Sequence, residues 1–222
     1  MADFPFDIVG FDLDGTLLET HRDLGAAVNH ALVLGGYEPV PVEGIQGLIG
    51  GGAKMMLKRV IDSHGGLPDE EFRPLYKALL AYYAEHNAVH TRPYEGADRT
   101  LDLLAERGVR LAVVTNKFET FARAILERLG LLDRFVCVIG GDTMGKGRSK
   151  PAPDPILEAR ARCGGGTFAY VGDSSYDVLA ARAAGVPVVV AGYGYCDKPP
   201  RGLGGDAVIG GFGELIGALE AL

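Results

Sequence analysis

The feature that most constrains this chain is a series of short, almost wholly apolar runs at residues 8–11, 110–114, 136–139, 168–171 and 186–190. Runs of this length that do not alternate with polar residues suit strands covered on both faces. Between them lie stretches with helical spacing at 97–107, 118–129, 155–162 and 178–184, several closed by glycine. Strand and helix in alternation predict a doubly wound α/β core around a mostly parallel sheet.

The alternation is interrupted after the first strand. Leu24, Ala27, Val28, Ala31 and Leu32 repeat at helical spacing, and 53–61 and 69–90 are helical by pattern. The stripe Phe72, Leu75, Tyr76, Leu79 and Tyr83 reads as one buried helix face. Residues 21–91 are therefore expected to form an all-helical cap inserted into a core made of 1–20 and 92–222.

The formal net charge of -7 argues against nucleic acid or an anionic membrane as partner. If the substrate is an anion, this acidic protein must concentrate positive charge locally, from lysine, a metal ion or helix N-termini. The opening MADFPFDIVGF has no basic region and no long apolar stretch, so no secretory leader is expected. Cys137, Cys163 and Cys196 form neither a metal pattern nor a disulfide framework, which fits a reduced cytoplasm. Monomer and homodimer both stay open.

In doubly wound sheets ligands bind beyond the carboxyl ends of the strands, so the residues there carry the functional information. The first run ends in Asp12-Leu13-Asp14-Gly15-Thr16, the second in Thr115-Asn116-Lys117. The third leads to a loop carrying Lys150-Pro151, and the fourth ends in Gly172-Asp173-Ser174-Ser175-Tyr176-Asp177. Asp12 and Asp14, two apart on an extended backbone, project to the same side. Close carboxylates repel unless a cation or proton relieves them. Asp12, Asp14 and Asp173 are hard oxygen ligands of the kind that suit Mg²⁺ while leaving room for phosphate. Thr115 and Asn116 are able to hydrogen-bond phosphoryl oxygens, and Lys150 to neutralise charge on a transferring group.

These four segments, in order, resemble the motifs of the haloacid-dehalogenase superfamily, and the resemblance spans essentially the whole chain. It implies that Asp12 attacks phosphorus and that Asp14 protonates the leaving alcohol, then deprotonates water. It implies that Asp12, the backbone carbonyl of Asp14, and Asp173 hold Mg²⁺, with Asp177 behind them orienting a water or Lys150. Thr115, Asn116 and Lys150 would bind phosphate. Dehalogenases of this superfamily replace the second aspartate of the first motif with tyrosine, and phosphonate hydrolases put a small residue there. Asp14 therefore favours phosphate esters. The β-phosphoglucomutase branch carries a histidine where this chain has Leu24, which counts against a phosphotransferase.

Gly140 to Lys146 nearly matches a nucleotide P-loop, but Gly147 stands where Ser or Thr is needed and no helix pattern begins. The five histidines show no metal-ligand spacing; His21 lies close enough to the start of the insertion to reach a substrate. A receiver-type or catalytically idle phosphate-binding protein is the non-enzyme alternative, opposed by the insertion and by the presence of all three aspartates. The segment Leu48 to Lys54, the stretch from Lys150 to Pro155 and Tyr193-Gly194-Tyr195 resemble bacterial phosphoglycolate phosphatases, although Cys196 departs from the usual pattern. Gly50-Gly51-Gly52 frees backbone N–H groups for close approach, and Lys54 adds a cation, together a receptor for a carboxylate. The expected substrate is 2-phosphoglycolate; a sugar phosphate, pyrophosphate or a nucleotide is the alternative.

Overall fold

The structure, a computed structural model, describes residues 4–222; the first three residues of the opening segment lie outside it. The chain begins β1 (Ile8–Phe11), β2 (Leu18–Glu19), α1 (His21–Leu34), a 3₁₀ turn (Val42–Leu48), α2 (Ala53–Ser63), α3 (Asp69–His86) and β3 (Arg92–Pro93). It continues α4 (Ala97–Glu106), β4 (Arg110–Val114), α5 (Glu119–Arg128), β5 (Cys137–Ile139) and α6 (Asp154–Arg162). It ends β6 (Phe168–Gly172), α7 (Ser175–Ala184), β7 (Val188–Ala191), β8 (Ala207–Ile209) and α8 (Leu215–Glu220).

Six strands form one parallel sheet in the order β5-β4-β1-β6-β7-β8. Every residue of β1, β5, β6 and β7 is buried, which is why these strands read as unbroken apolar runs. Alternate side chains serve opposite faces: Val9, Phe11, Leu111 and Val113 enter one apolar layer, and Ile8, Ala112 and Val114 the other. The chain winds outward from β1 through β4 to β5, then returns to the other side of β1 with β6. The strand order reverses at β1, and Asp12 is the first residue beyond it.

Helices α1, α2 and α3 fall between β2 and β3. Helix α1 packs most extensively on α3, burying Leu24, Ala27, Val28, Ala31 and Leu32 against a face that includes Phe72, Leu75, Leu79 and Tyr83. Tyr76, expected on that buried stripe, is half-buried. Where the chain leaves and re-enters, β2 and β3 pair antiparallel, Glu19 opposite Arg92, with a 2.7 Å ion pair between them. This two-residue ribbon, β8 and α8 were not legible in the sequence because they are too short for any period to show. Among the described residues no helix is long and apolar enough to cross a membrane, and Cys137, Cys163 and Cys196 are free thiols.

One buried carboxylate fastens the helical insertion at its return point. Asp23, 2% exposed, accepts the backbone N–H of His90, the backbone N–H of Thr91 and the Thr91 hydroxyl at 2.8–3.0 Å. Asp23→Ala leaves these donors without an acceptor and is expected to cost about 3 kcal/mol of stability. Urea unfolding of the variant measures this, and a loss below about 0.5 kcal/mol would mean the staple is unimportant.

Candidate active site

The site forms around one ammonium. Lys150, 3% exposed, brings Nζ 2.9 Å from Asp12 Oδ1, 2.6 Å from Asp177 Oδ1 and 3.0 Å from the Tyr170 hydroxyl. The contacts to Asp177 and Tyr170 are hydrogen bonds, and the contact to Asp12 is an ion pair. Tyr170, buried on β6, donates its own hydroxyl proton to the carbonyl of Val114 at 2.7 Å, so β4 and β6 both position this lysine. The sequence held no signal for Tyr170, whose ring sits within an apolar strand.

Asp177 stands in the first turn of α7 with no exposed surface. Its Oδ2 accepts the Ser174 N–H at 2.9 Å and the Ser174 hydroxyl at 2.6 Å, closing a capping box on the helix. Its Oδ1 accepts from Lys150, with the Tyr170 hydroxyl 3.1 Å away. Asp173, 2% exposed, accepts the Thr16 hydroxyl at 3.0 Å and the Tyr195 N–H at 2.7 Å. Thr16 and Tyr195 also escaped the sequence reading of roles. The Tyr195 hydroxyl accepts the N–H groups of Thr20 and His21, linking the loop after β7 to the start of α1.

Two glycines permit this closeness. Gly15 has φ +81°, and a Cβ there would lie 2.3 Å from Asp173 Oδ2. A Cβ on Gly194 would lie 2.3 Å from the Gly15 carbonyl oxygen. Larger residues would force apart the very loops that bring Asp12 and Asp173 together.

Asp12, Asp173 and Asp177 offer one oxygen each within 4.8 Å of one another. Three buried carboxylates crowd together here, Lys150 pairs with two of them, Asp12 and Asp177, and Asp12 Oδ1 lacks a well-formed hydrogen bond. Burial pushes the Asp12 carboxyl up to about 7 against the pull of Lys150, with Asp177 and Asp14 adding to the rise. Burial, then Asp177 and Asp12, raise Asp173 well above the carboxylate range. Such a surplus of buried negative charge fits a divalent cation bound through Asp12 and Asp173.

Asp14, 9% exposed, is not part of that group. Its Oδ1 lies 2.9 Å from Nζ of Lys117, a buried residue of the second motif that also donates to the Tyr83 hydroxyl at 2.9 Å. Thr115 is buried, and its hydroxyl oxygen accepts the Lys117 N–H, leaving its proton available. The Asn116 side-chain amide donates to the carbonyls of Gly50 and Lys150, both at 3.0 Å, so it ties the glycine loop to the core.

A cavity of about 490 Å³ opens here between the strand ends and the insertion. Asp12, Asp14, Thr115, Asn116 and Lys117 line its core side, and Gly50, Gly51, Gly52 and Lys54 line the other. Gly52 caps α2, so the helix N-terminus and Lys54 in its first turn border the cavity. Lys146, from the segment that mimics a P-loop, reaches the wall, and so does Leu24, apolar where the mutase branch carries histidine. His21 is buried at 4% exposure, its ring edge-on to Tyr195, and it does not line this cavity.

The family model for haloacid dehalogenase-like hydrolases matches residues 9–191, and the chain belongs to that family. It is similar to the phosphoglycolate phosphatase of Agrobacterium fabrum, with 40% identity over 94% of this chain and 90% of the relative. It is likewise similar to that of Rhodospirillum rubrum, at 39% over 92% of this chain and 87% of the relative. The crystal structure of a predicted phosphoglycolate phosphatase from Haemophilus somnus superposes with a TM-score of 0.88 at 30% identity, over 96% of this chain and 97% of the other.

The charge surplus has a measurable consequence. An acid whose folded pKa lies above its unfolded value holds its proton longer when folded, so its contribution to stability falls as pH rises from about 4 to about 7. In chelator-treated protein at pH 8, Asp12→Asn should therefore be more stable than the wild type, by about 2–4 kcal/mol. The gap should close as the pH approaches 4. Urea unfolding at several pH values tests this; a variant less stable than wild type at pH 8 would contradict the electrostatics.

Proposed function

We propose that this protein hydrolyses a small phosphate monoester through a phospho-aspartate on Asp12, with 2-phosphoglycolate as substrate and glycolate and phosphate as products. The observation that carries the proposal is the pairing of Asp12 with Lys150 at the switch point of the sheet, with Asp12 lining a cavity shared with the glycine loop and Lys54. An Asp12 oxygen bonds to phosphorus as the bond to the leaving alkoxide breaks, and Asp14 gives that oxygen its proton. Asp14 then takes a proton from the water that attacks the phospho-aspartate and releases phosphate. Asp12, Asp173 and the Asp14 carbonyl would hold Mg²⁺, which would supply neutralising charge at the nucleophile and the phosphoryl group. Asp177 acts on Lys150, fixing it where it serves Asp12. Lys150 and the Thr115 hydroxyl receive the phosphoryl oxygens with the backbone N–H of Asn116, whose side-chain amide bridges core and glycine loop.

Residues 21–91 form the cap in this reading, bounded by the β2–β3 ribbon, with the core at 1–20 and 92–222. The relatives' phosphoglycolate phosphatase names support the substrate, and so does the chemistry of the glycine loop. Backbone N–H groups at the α2 N-terminus and the Lys54 ammonium suit a carboxylate. The apolar part of the wall, which includes Ile49, Met56 and Phe121, has no counterpart on phosphoglycolate, so the substrate survey must reach larger esters.

The test is a comparison of kcat/KM for phosphoglycolate, sugar phosphates, pyrophosphate and nucleoside monophosphates with Mg²⁺ present. Phosphoglycolate should lead, and Asp12→Asn should lower turnover by at least about 10³-fold. Preference for another ester by tenfold or more refutes the substrate but leaves the phosphatase. A variant keeping more than a tenth of the activity refutes Asp12 as nucleophile. Lys54→Ala should raise KM for phosphoglycolate about tenfold, with a much smaller effect on an uncharged aryl ester. Equal effects on both would remove Lys54 from carboxylate binding.

A further inference from the structure

Two buried lysines divide the two aspartates of the first motif between them. Lys150 sits on Asp12; Lys117, 8% exposed, sits 2.9 Å from Asp14. The second pairing has a feature the first lacks: its other partner belongs to the helical insertion. Tyr83, on α3 and 1% exposed, accepts a hydrogen bond from Lys117 at 2.9 Å, and the ammonium lies 4.7 Å from its ring centre. The ring itself is seated edge-on against Phe121 of α5, with centroids 5.5 Å apart.

We propose that Lys117, held by Tyr83, is the positioning residue that sets the Asp14 carboxyl for proton transfer, so that docking of the insertion and readiness of the acid/base are one event. The proposal rests on the reading of Asp14 as proton donor and extends it to two residues outside the catalytic set. A buried ammonium requires compensating acceptors. Here one core carboxylate supplies an ion pair and one hydroxyl from the insertion accepts a hydrogen bond. Asp14 and Tyr83, each 2.9 Å from Nζ, offset the burial of the ammonium. Burial also lifts the Tyr83 phenol to about 12, so it stays a neutral hydroxyl able to accept from Lys117.

Were α3 to lift, Lys117 would lose an acceptor and its aromatic cover together. Its remaining tie to Asp14 would then compete with water, and the carboxyl would lose its fixed direction. Proton transfer needs the donor within hydrogen-bond reach of the leaving oxygen, so a loosened Asp14 slows only reactions that need that proton. An ester bound without complete docking of the insertion would meet a nucleophile but no aimed acid.

The experiment measures kcat/KM, which reports steps through the first phosphoryl transfer, for wild type, Tyr83→Phe, Lys117→Met and the double variant. Three esters are used: phosphoglycolate, an uncharged alkyl phosphate and an activated aryl phosphate whose leaving group needs no proton. Tyr83→Phe should cost both alkyl esters about tenfold and Lys117→Met about hundredfold, while the aryl ester loses less than about threefold. The double variant should match Lys117→Met within about twofold, because Tyr83 acts through Lys117. Tyr83→Phe keeps the buried ring, so it carries the test even if Lys117→Met fails to fold. Equal losses on all three esters, or additive losses in the double variant, would overturn the proposal. A loss confined to KM for phosphoglycolate would make Lys117 a carboxylate receptor and overturn it too. A wild type inactive on every ester would bring down the hydrolase reading itself, and the inference with it.

Discussion

The Lys150 ammonium is the constraint on which the site depends. It is buried where water cannot solvate it, so the protein must surround it with acceptors. It does so from three separate elements: Asp12 after β1, Tyr170 on β6 and Asp177 on α7. The same contacts that compensate the charge fix the mutual geometry of the strand ends. Asp177 in turn satisfies the first turn of α7, so the cap of one helix and the orientation of the site lysine are a single structure.

The compensation is deliberately incomplete. Counting only the groups in direct reach, Lys150 faces the Asp12 and Asp177 carboxylates, with Asp173 beside them. The folded protein holds more buried negative charge than its own cation balances, which is destabilising by itself and attractive to a divalent cation. A site of this kind gives up stability for affinity, and the sheet beneath it supplies the rigidity: its central strands are buried on both faces.

Much of this was legible in the sequence, for reasons that are physical rather than statistical. Strands covered on both faces cannot hide their apolar runs, and in a doubly wound sheet the residues beyond those runs must converge on one edge. Hence Asp12, Asp14, Thr115, Lys150 and Asp173 could be singled out before any coordinates, and the chain does belong to the family they resembled. What could not be read were contacts joining residues far apart in the chain without a local pattern. Tyr170 sits in a strand whose only visible property is burial. Thr16 meets Asp173 across 157 positions, and Tyr195 meets Thr20 across 175. Tyr83 reads from the sequence as ordinary helix packing, which its ring does provide; only its hydroxyl and the lysine opposite distinguish it. Asn116 carries no local pattern that shows its side-chain amide spanning the Gly50 and Lys150 carbonyls.

The central claim is that the Asp12 carboxylate, and no other group, takes the phosphoryl group. Rapid acid quench of the enzyme during turnover with Mg²⁺, followed by peptide mass spectrometry, tests it most directly. The account predicts a phosphorylated peptide containing Asp12, with the acyl phosphate on that side chain and lost on treatment with hydroxylamine. Turnover that leaves Asp12 unmodified at every quench time, together with inversion at phosphorus for a chiral ester, would show direct attack by water and contradict it.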